Sequence, residues 1–270
     1  MSTLQTSNPI LNENTLRGGD WWNDTAATET ASISGIVNKT GFLAMAMTVA
    51  GAGGYALVKA NPWLMFPLML LSLVVGLGAI FFIRGSATRA RNLGFAYSIV
   101  QGLFLGGFAV MLDGILAQQG IAAAGGVALQ AFVVTIGCLG SMLFLYRAGI
   151  LKGGAMFQKV LSVATLGVIA AALLSFVLSF FGIDTMLFNL GNAFGGGSAP
   201  WIGLGVTGAI LILASLWLIV DFRQADELVA SNAPKETEWY VAFGLIVTIA
   251  WIYFEALKLV YYIAAMSNRD

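Results

Sequence analysis

The sequence predicts an all-α integral membrane protein with seven transmembrane helices, on three observations. Hydrophobic residues make up 59% of the 270. Charged residues make up 10%, against about 25% in an ordinary soluble domain. Apolar runs long enough to cross about 30 Å of hydrocarbon at 1.5 Å per residue recur seven times, separated by short polar interruptions.

Residues 1–38 read as a polar, retained tail. They are rich in Ser, Thr and Asn and lack the basic start, apolar stretch and small-residue cleavage site of a secretory signal. The Trp21-Trp22 pair suits a membrane surface or has no specific role. The membrane domain then occupies 39–270. Span one covers 41–58 and ends before Asn61-Pro62, where proline breaks the helix. Span two covers 63–83 and is closed by Arg84 and Gly85. Span three covers 93–117, with Asp113 near its outer end, and span four covers 124–146. Gly153-Gly154 separate span four from span five, at 158–181. The Gly195-Gly196-Gly197 run precedes span six, at 200–220, and span seven covers 239–265. Phe222 to Ser231 contains no Gly or Pro, so span six can continue as a helical stem until Pro234 stops it.

Basic residues in short loops set orientation. Arg84, Arg89 and Arg91 follow span two, Arg147, Lys152 and Lys159 follow span four, and Arg223 and Lys235 follow span six. The opposite loops hold Lys59, Asp113 and Asp184. The expectation is a plasma-membrane protein with its amino terminus cytoplasmic and its carboxyl terminus outside. Gly102 and Gly106, Gly137 and Ser141, and Gly203 and Thr207 recur at helical spacing, which lets helices approach closely.

The same composition excludes several functions. Thirteen basic and 13 acidic residues balance, without a cluster that would bind nucleic acid. With no histidine and one cysteine, Cys138, the chain cannot build a Ser-His-Asp site, a His/Cys metal cage or an internal disulfide. No enzyme chemistry and no cofactor are expected. A pH response has to come from carboxylates.

Ionisable residues within apolar spans are costly and therefore informative. The candidates are Glu255 and Lys258 in span seven, Asp221 at the end of span six, Arg84 at the end of span two, and Asp113. Trp239 to Met266 is 28 residues, about 42 Å of helix, so its height in the bilayer is open. Either Lys258 snorkels outward and pairs with Glu255 at i, i+3, or Glu255 lies near the midplane, where a carboxylate takes a proton or a cation. If the stem descends from Asp221 and span seven rises beside it, Asp221 falls level with Thr248, about 10 Å short of Glu255. Asp226 is a competing acid in a charged, solvated stem. Asp113 and Asp184 read as solvated loop acids or as a mouth that attracts cations.

At these residues the chain resembles the Bax inhibitor-1 family, in particular its bacterial branch. The resemblance rests on Thr6-Ser7-Asn8-Pro9, Lys39-Thr40-Gly41, Gln101-Gly102-Leu103-Phe104-Leu105-Gly106 and Asp221-Phe222. It is strongest in the run Ala233-Pro234-Lys235-Glu236-Thr237-Glu238-Trp239-Tyr240 through Trp251-Ile252-Tyr253-Phe254-Glu255. It implies six helices around a central seventh and a pH-sensitive calcium leak. It further implies that Asp221 and Glu255 share a proton and lie on the ion path, with Arg84 pairing with Asp221 in the closed state. Glu at 255 in place of Asp, and the separation of 34 residues from Asp221, depart from the family pattern. Lys258 is a second candidate closed-state partner, able to neutralise Glu255. The mechanism this implies is that ionised Asp221 and Glu255 favour a cation, with Ca²⁺ suited to their hard oxygens in transient occupancy, while Arg84 competes. Acidification protonates the pair and lowers cation affinity; two close carboxylates titrate together, in steps that belong to neither alone.

Expected partners are the lipid bilayer and Ca²⁺ or other cations. A second reading is a regulatory protein that binds a membrane protease or other helical partners, with the 1–38 tail as its docking segment. A third, an aspartyl-type intramembrane dyad, lacks a surrounding motif.

Overall fold

The computed structural model describes residues 29–82, 87–179, 181 and 200–267. Among them seven helices are long and apolar enough to cross a membrane. These are α1 (Ile33–Ala60), α2 (Met65–Phe82), α3 (Ala87–Gln118), α4 (Gly126–Arg147), α5 (Ala155–Ser179), α6 (Pro200–Ala230) and α7 (Glu238–Ser267). Trp21-Trp22, Arg84, Gly85, Asp184 and the Gly195–Gly197 run lie outside the described residues.

Helix ends follow local chemistry. α1 begins at Ile33, inside the segment the sequence assigns to the tail, because the Ser32 hydroxyl accepts a hydrogen bond from Gly35 N–H. Pro62 turns the chain into a short 3₁₀ segment, Pro62–Leu64, that leads into α2. α6 runs nine residues past Asp221 to Ala230, as the Gly- and Pro-free stem predicts. Asn232, with φ 52°, and Pro234 then reverse the chain, and a second 3₁₀ turn, Lys235–Thr237, enters α7.

α7 is the most buried of the seven helices. Its Tyr240, Phe243, Ile246 and Ile252 are fully enclosed, and Phe243 meets the Tyr97 ring of α3 edge-on at 5.4 Å. Its principal contacts are with α1, α3, α4 and α6, while α2 rests on α3 and α5 rests on α6. Among the described residues, four helices therefore make the main contacts with α7.

α1 and α3 pack with their backbones close together. A Cβ on Gly102 would run into the Met47 carbonyl, one on Gly106 into the Gly51 carbonyl, and one on Gly54 into the Leu103 backbone. Gly203 lies against the Tyr262 ring and Thr207 is buried. The expected pair Gly137 and Ser141 behaves differently. Both are exposed and nothing approaches the Cβ position of Gly137, so this stripe of α4 points away from the other helices.

Residues ahead of α1 are tied to the α6–α7 turn. Thr30 forms an antiparallel bridge with Pro234, Ala31 N–H donates to the Ala233 carbonyl at 2.8 Å, and Lys235 N–H donates to the Glu29 carbonyl at 3.1 Å. The Lys235 ammonium pairs with the Glu29 carboxylate and holds its carboxyl below the usual range.

Candidate functional site

Asp221 sits on α6 with 6% of its surface exposed, nine residues before the helix ends, and so lies within the helix bundle. The Thr248 side chain of α7 faces its carboxylate. Its Oδ2 is enclosed without a hydrogen-bond partner among the described residues. The Thr248 hydroxyl donates to the Gly244 carbonyl one turn below, at 3.3 Å. The facing element therefore offers oxygen and no cation.

Glu255 lies on α7 seven residues beyond Thr248, two turns or about 10 Å farther along the helix. It is 3% exposed. Lys258 Nζ donates to its Oε1 at 2.8 Å and stands 2.7 Å from its Oε2. The ammonium also sits 4.7 Å from the centroid of the Phe254 ring, a position favoured by the ring's negative face. Thus the structure brings Lys258 to Glu255 and Thr248 to Asp221, and keeps the two acids at different levels. Thr248 is the α7 group that faces Asp221, the level that helix rise anticipates. Arg84 falls outside the described residues. Asp226 is exposed and accepts a hydrogen bond from Tyr146 at 2.6 Å, joining the α6 stem to the end of α4.

Asp113 requires a correction. It is half-buried and does not act as a solvated loop acid. Its Oδ1 accepts from Val127 N–H at 2.8 Å and its Oδ2 from the Tyr55 hydroxyl at 3.2 Å. Gly125 and Gly126, with φ of 75° and 79°, fold the loop back so that a carboxylate from α3 caps one open N–H group, that of Val127, at the start of α4. That role depends on a loop geometry that spacing alone does not show.

A further charged pair had no assigned role at the sequence level. Glu238, in the first turn of α7, is fully buried. Its Oε1 accepts from Ser32 N–H at 2.8 Å and from the Ser32 hydroxyl at 3.2 Å, and its Oε2 pairs with Lys39 at 2.6 Å. Lys39 also donates to the Lys235 carbonyl at 3.1 Å and lies 5.3 Å over the Trp239 ring. Gly35 makes the arrangement possible, since a Cβ there would occupy the place of the Glu238 carboxylate. The available signal was the placement of one basic and one acidic residue at the starts of the first and last spans. Their burial was not visible in it.

Seven helices long and apolar enough to cross a bilayer, enclosing the buried carboxylates Asp221, Glu238 and Glu255, define a multi-pass membrane protein. A model of the family described as Bax inhibitor 1 like matches residues 8–265, and the chain belongs to that family. No curated protein sequence matches the chain.

Proposed function

We propose that this protein is a pH-sensitive cation leak of the bacterial inner membrane, with its amino terminus cytoplasmic, whose route runs between α6 and α7. Asp221 carries the reading. A buried carboxylate that faces a hydroxyl and has one oxygen without a partner among the described residues favours binding a proton or a cation. Ca²⁺ suits its hard oxygens, and a single carboxylate with a hydroxyl is too few ligands for tight retention, as transient passage requires. Glu255 is the second station. Lys258 neutralises it in this arrangement, so a cation reaches it only when the ammonium moves aside. The two acids act in sequence along the helix pair, each responding to protonation, instead of sharing one proton. Arg84, which follows α2 in the sequence and lies outside the described residues, is the remaining candidate for holding Asp221 closed.

Ca²⁺ entry into proteoliposomes at pH 6, 7 and 8 tests the reading, with the full chain beside a variant lacking residues 1–28. Entry is expected in both, with the same change across pH, because the route lies within the helices. Ca²⁺ entry no faster than in protein-free liposomes would refute it.

A further inference from the structure

α1 packs chiefly on α3 and α7 and touches α6 only slightly, yet residues 29–32, just ahead of it, lie across the turn that joins α6 to α7. Two grades of contact fasten them there. The inner grade is sheltered. Ala31 is buried and its N–H donates to the Ala233 carbonyl at 2.8 Å, while Ser32 reaches the buried Glu238 carboxylate through both its N–H and its hydroxyl. The outer grade is open to water. Thr30 meets Pro234 in an isolated bridge, and the side chains of the Glu29–Lys235 ion pair are 65% and 51% exposed.

An isolated bridge and an exposed ion pair are each weak, so the outer contacts part readily. The inner ones part only with the buried Lys39–Glu238 pair, which is costly to break. Such a fastening works as a catch more than as a permanent joint. Its place gives it leverage, because α6 and α7 can shift against each other at this end only if the turn between them moves, and the strap ties that turn to the start of α1. We propose that residues 29–32 restrain the α6–α7 turn, and that unfastening the outer contacts increases cation passage between the two helices; the second half rests on the route proposed above. The strap is not a proton sensor. Lys235 keeps the Glu29 carboxyl below its usual range, so the pair stays ionised between pH 6 and 8, and the strap sets the size of the flux without changing its pH profile.

Variants of the full chain test this, with amide hydrogen exchange over residues 222–237 and Ca²⁺ flux into proteoliposomes as separate readouts. Glu29→Lys sets like charges against each other. It should speed exchange at Lys235, whose N–H donates to the Glu29 carbonyl. It should also raise the flux about two- to fivefold at pH 6, 7 and 8 alike, the range that a surface ion pair gives to a two-state equilibrium. Adding Lys235→Glu restores the pair with its signs exchanged and should return both readouts to wild type. Glu29→Cys with Lys235→Cys, in a Cys138→Ala background, fastens the strap covalently; oxidation should slow exchange and lower the flux, and reductant should reverse both. Failure of this disulfide to form, or equal exchange in the oxidised and reduced forms, would overturn the strap. Exchange that responds while the flux of a conducting protein does not would overturn its control of the route. A wild type that does not conduct refutes the route instead, and the strap then stands or falls on the oxidised and reduced exchange alone.

Discussion

Lys39→Met should lower the stability of the detergent-solubilised protein by roughly 3–5 kcal/mol, the cost of leaving a buried charge without its partner. Glu238 is fully enclosed, and its remaining donors are the Ser32 backbone and hydroxyl. Neither brings a positive charge. Because the pair joins the start of α1 to the start of α7, the lost stability should appear as detachment of α1 from the best-packed helix. Adding Glu238→Gln should recover much of the loss, since removing both charges also removes the desolvation cost. Thermal unfolding followed by circular dichroism measures both variants. A single variant within about 1 kcal/mol of wild type, as for exposed pairs, would show that water reaches the carboxylate.

The second large effect is expected at Gly106. Lipid is as apolar as the helices, so helix association depends on packing. At Gly106 the backbone of α3 lies against the Gly51 carbonyl, which cannot rotate away as a side chain would. Gly106→Val should therefore force α1 and α3 apart and cost about 3 kcal/mol, at the upper end of the range for overpacking. Gly137→Val is the matched control. It has the same chemistry at a position with open space, and should stay within about 0.5 kcal/mol of wild type. Equal unfolding temperatures for the two variants would contradict the close approach of α1 and α3.

The helices were legible because each must present about 20 apolar residues to lipid, a constraint that composition records directly. Their ends were less so. Ser32 caps α1 within a Ser- and Thr-rich stretch where many residues could have done so, and α3 extends six residues before the span the sequence marks, since Arg89, Arg91 and Asn92 are compatible with a helix leaving the bilayer. The continuation of α6 beyond Asp221 was readable from the absence of Gly and Pro, and with it the level of Thr248. Partner choice was not readable. Whether Lys258 points to lipid headgroups or back to Glu255 depends on how deeply α7 sits among its neighbours, which no local pattern encodes. For the same reason Gly102 with Gly106 and Gly137 with Ser141 look alike in sequence, although only the first pair meets another helix. The roles of Asp113 and Glu238 both depend on chain reversals that bring distant segments into register.

The central claim, that the buried carboxylates of α6 and α7 lie on an ion route and sense protons, is tested most directly by Ca²⁺ flux into proteoliposomes at pH 6, 7 and 8. Wild type is compared with the Asp221→Asn, Glu255→Gln double variant, after matching unfolding temperatures and reconstitution. The wild type is expected to conduct with a rate that changes across this range, and the double variant to show a flat, much smaller flux. An equal flux with an equal pH profile in both proteins would remove Asp221 and Glu255 from the route.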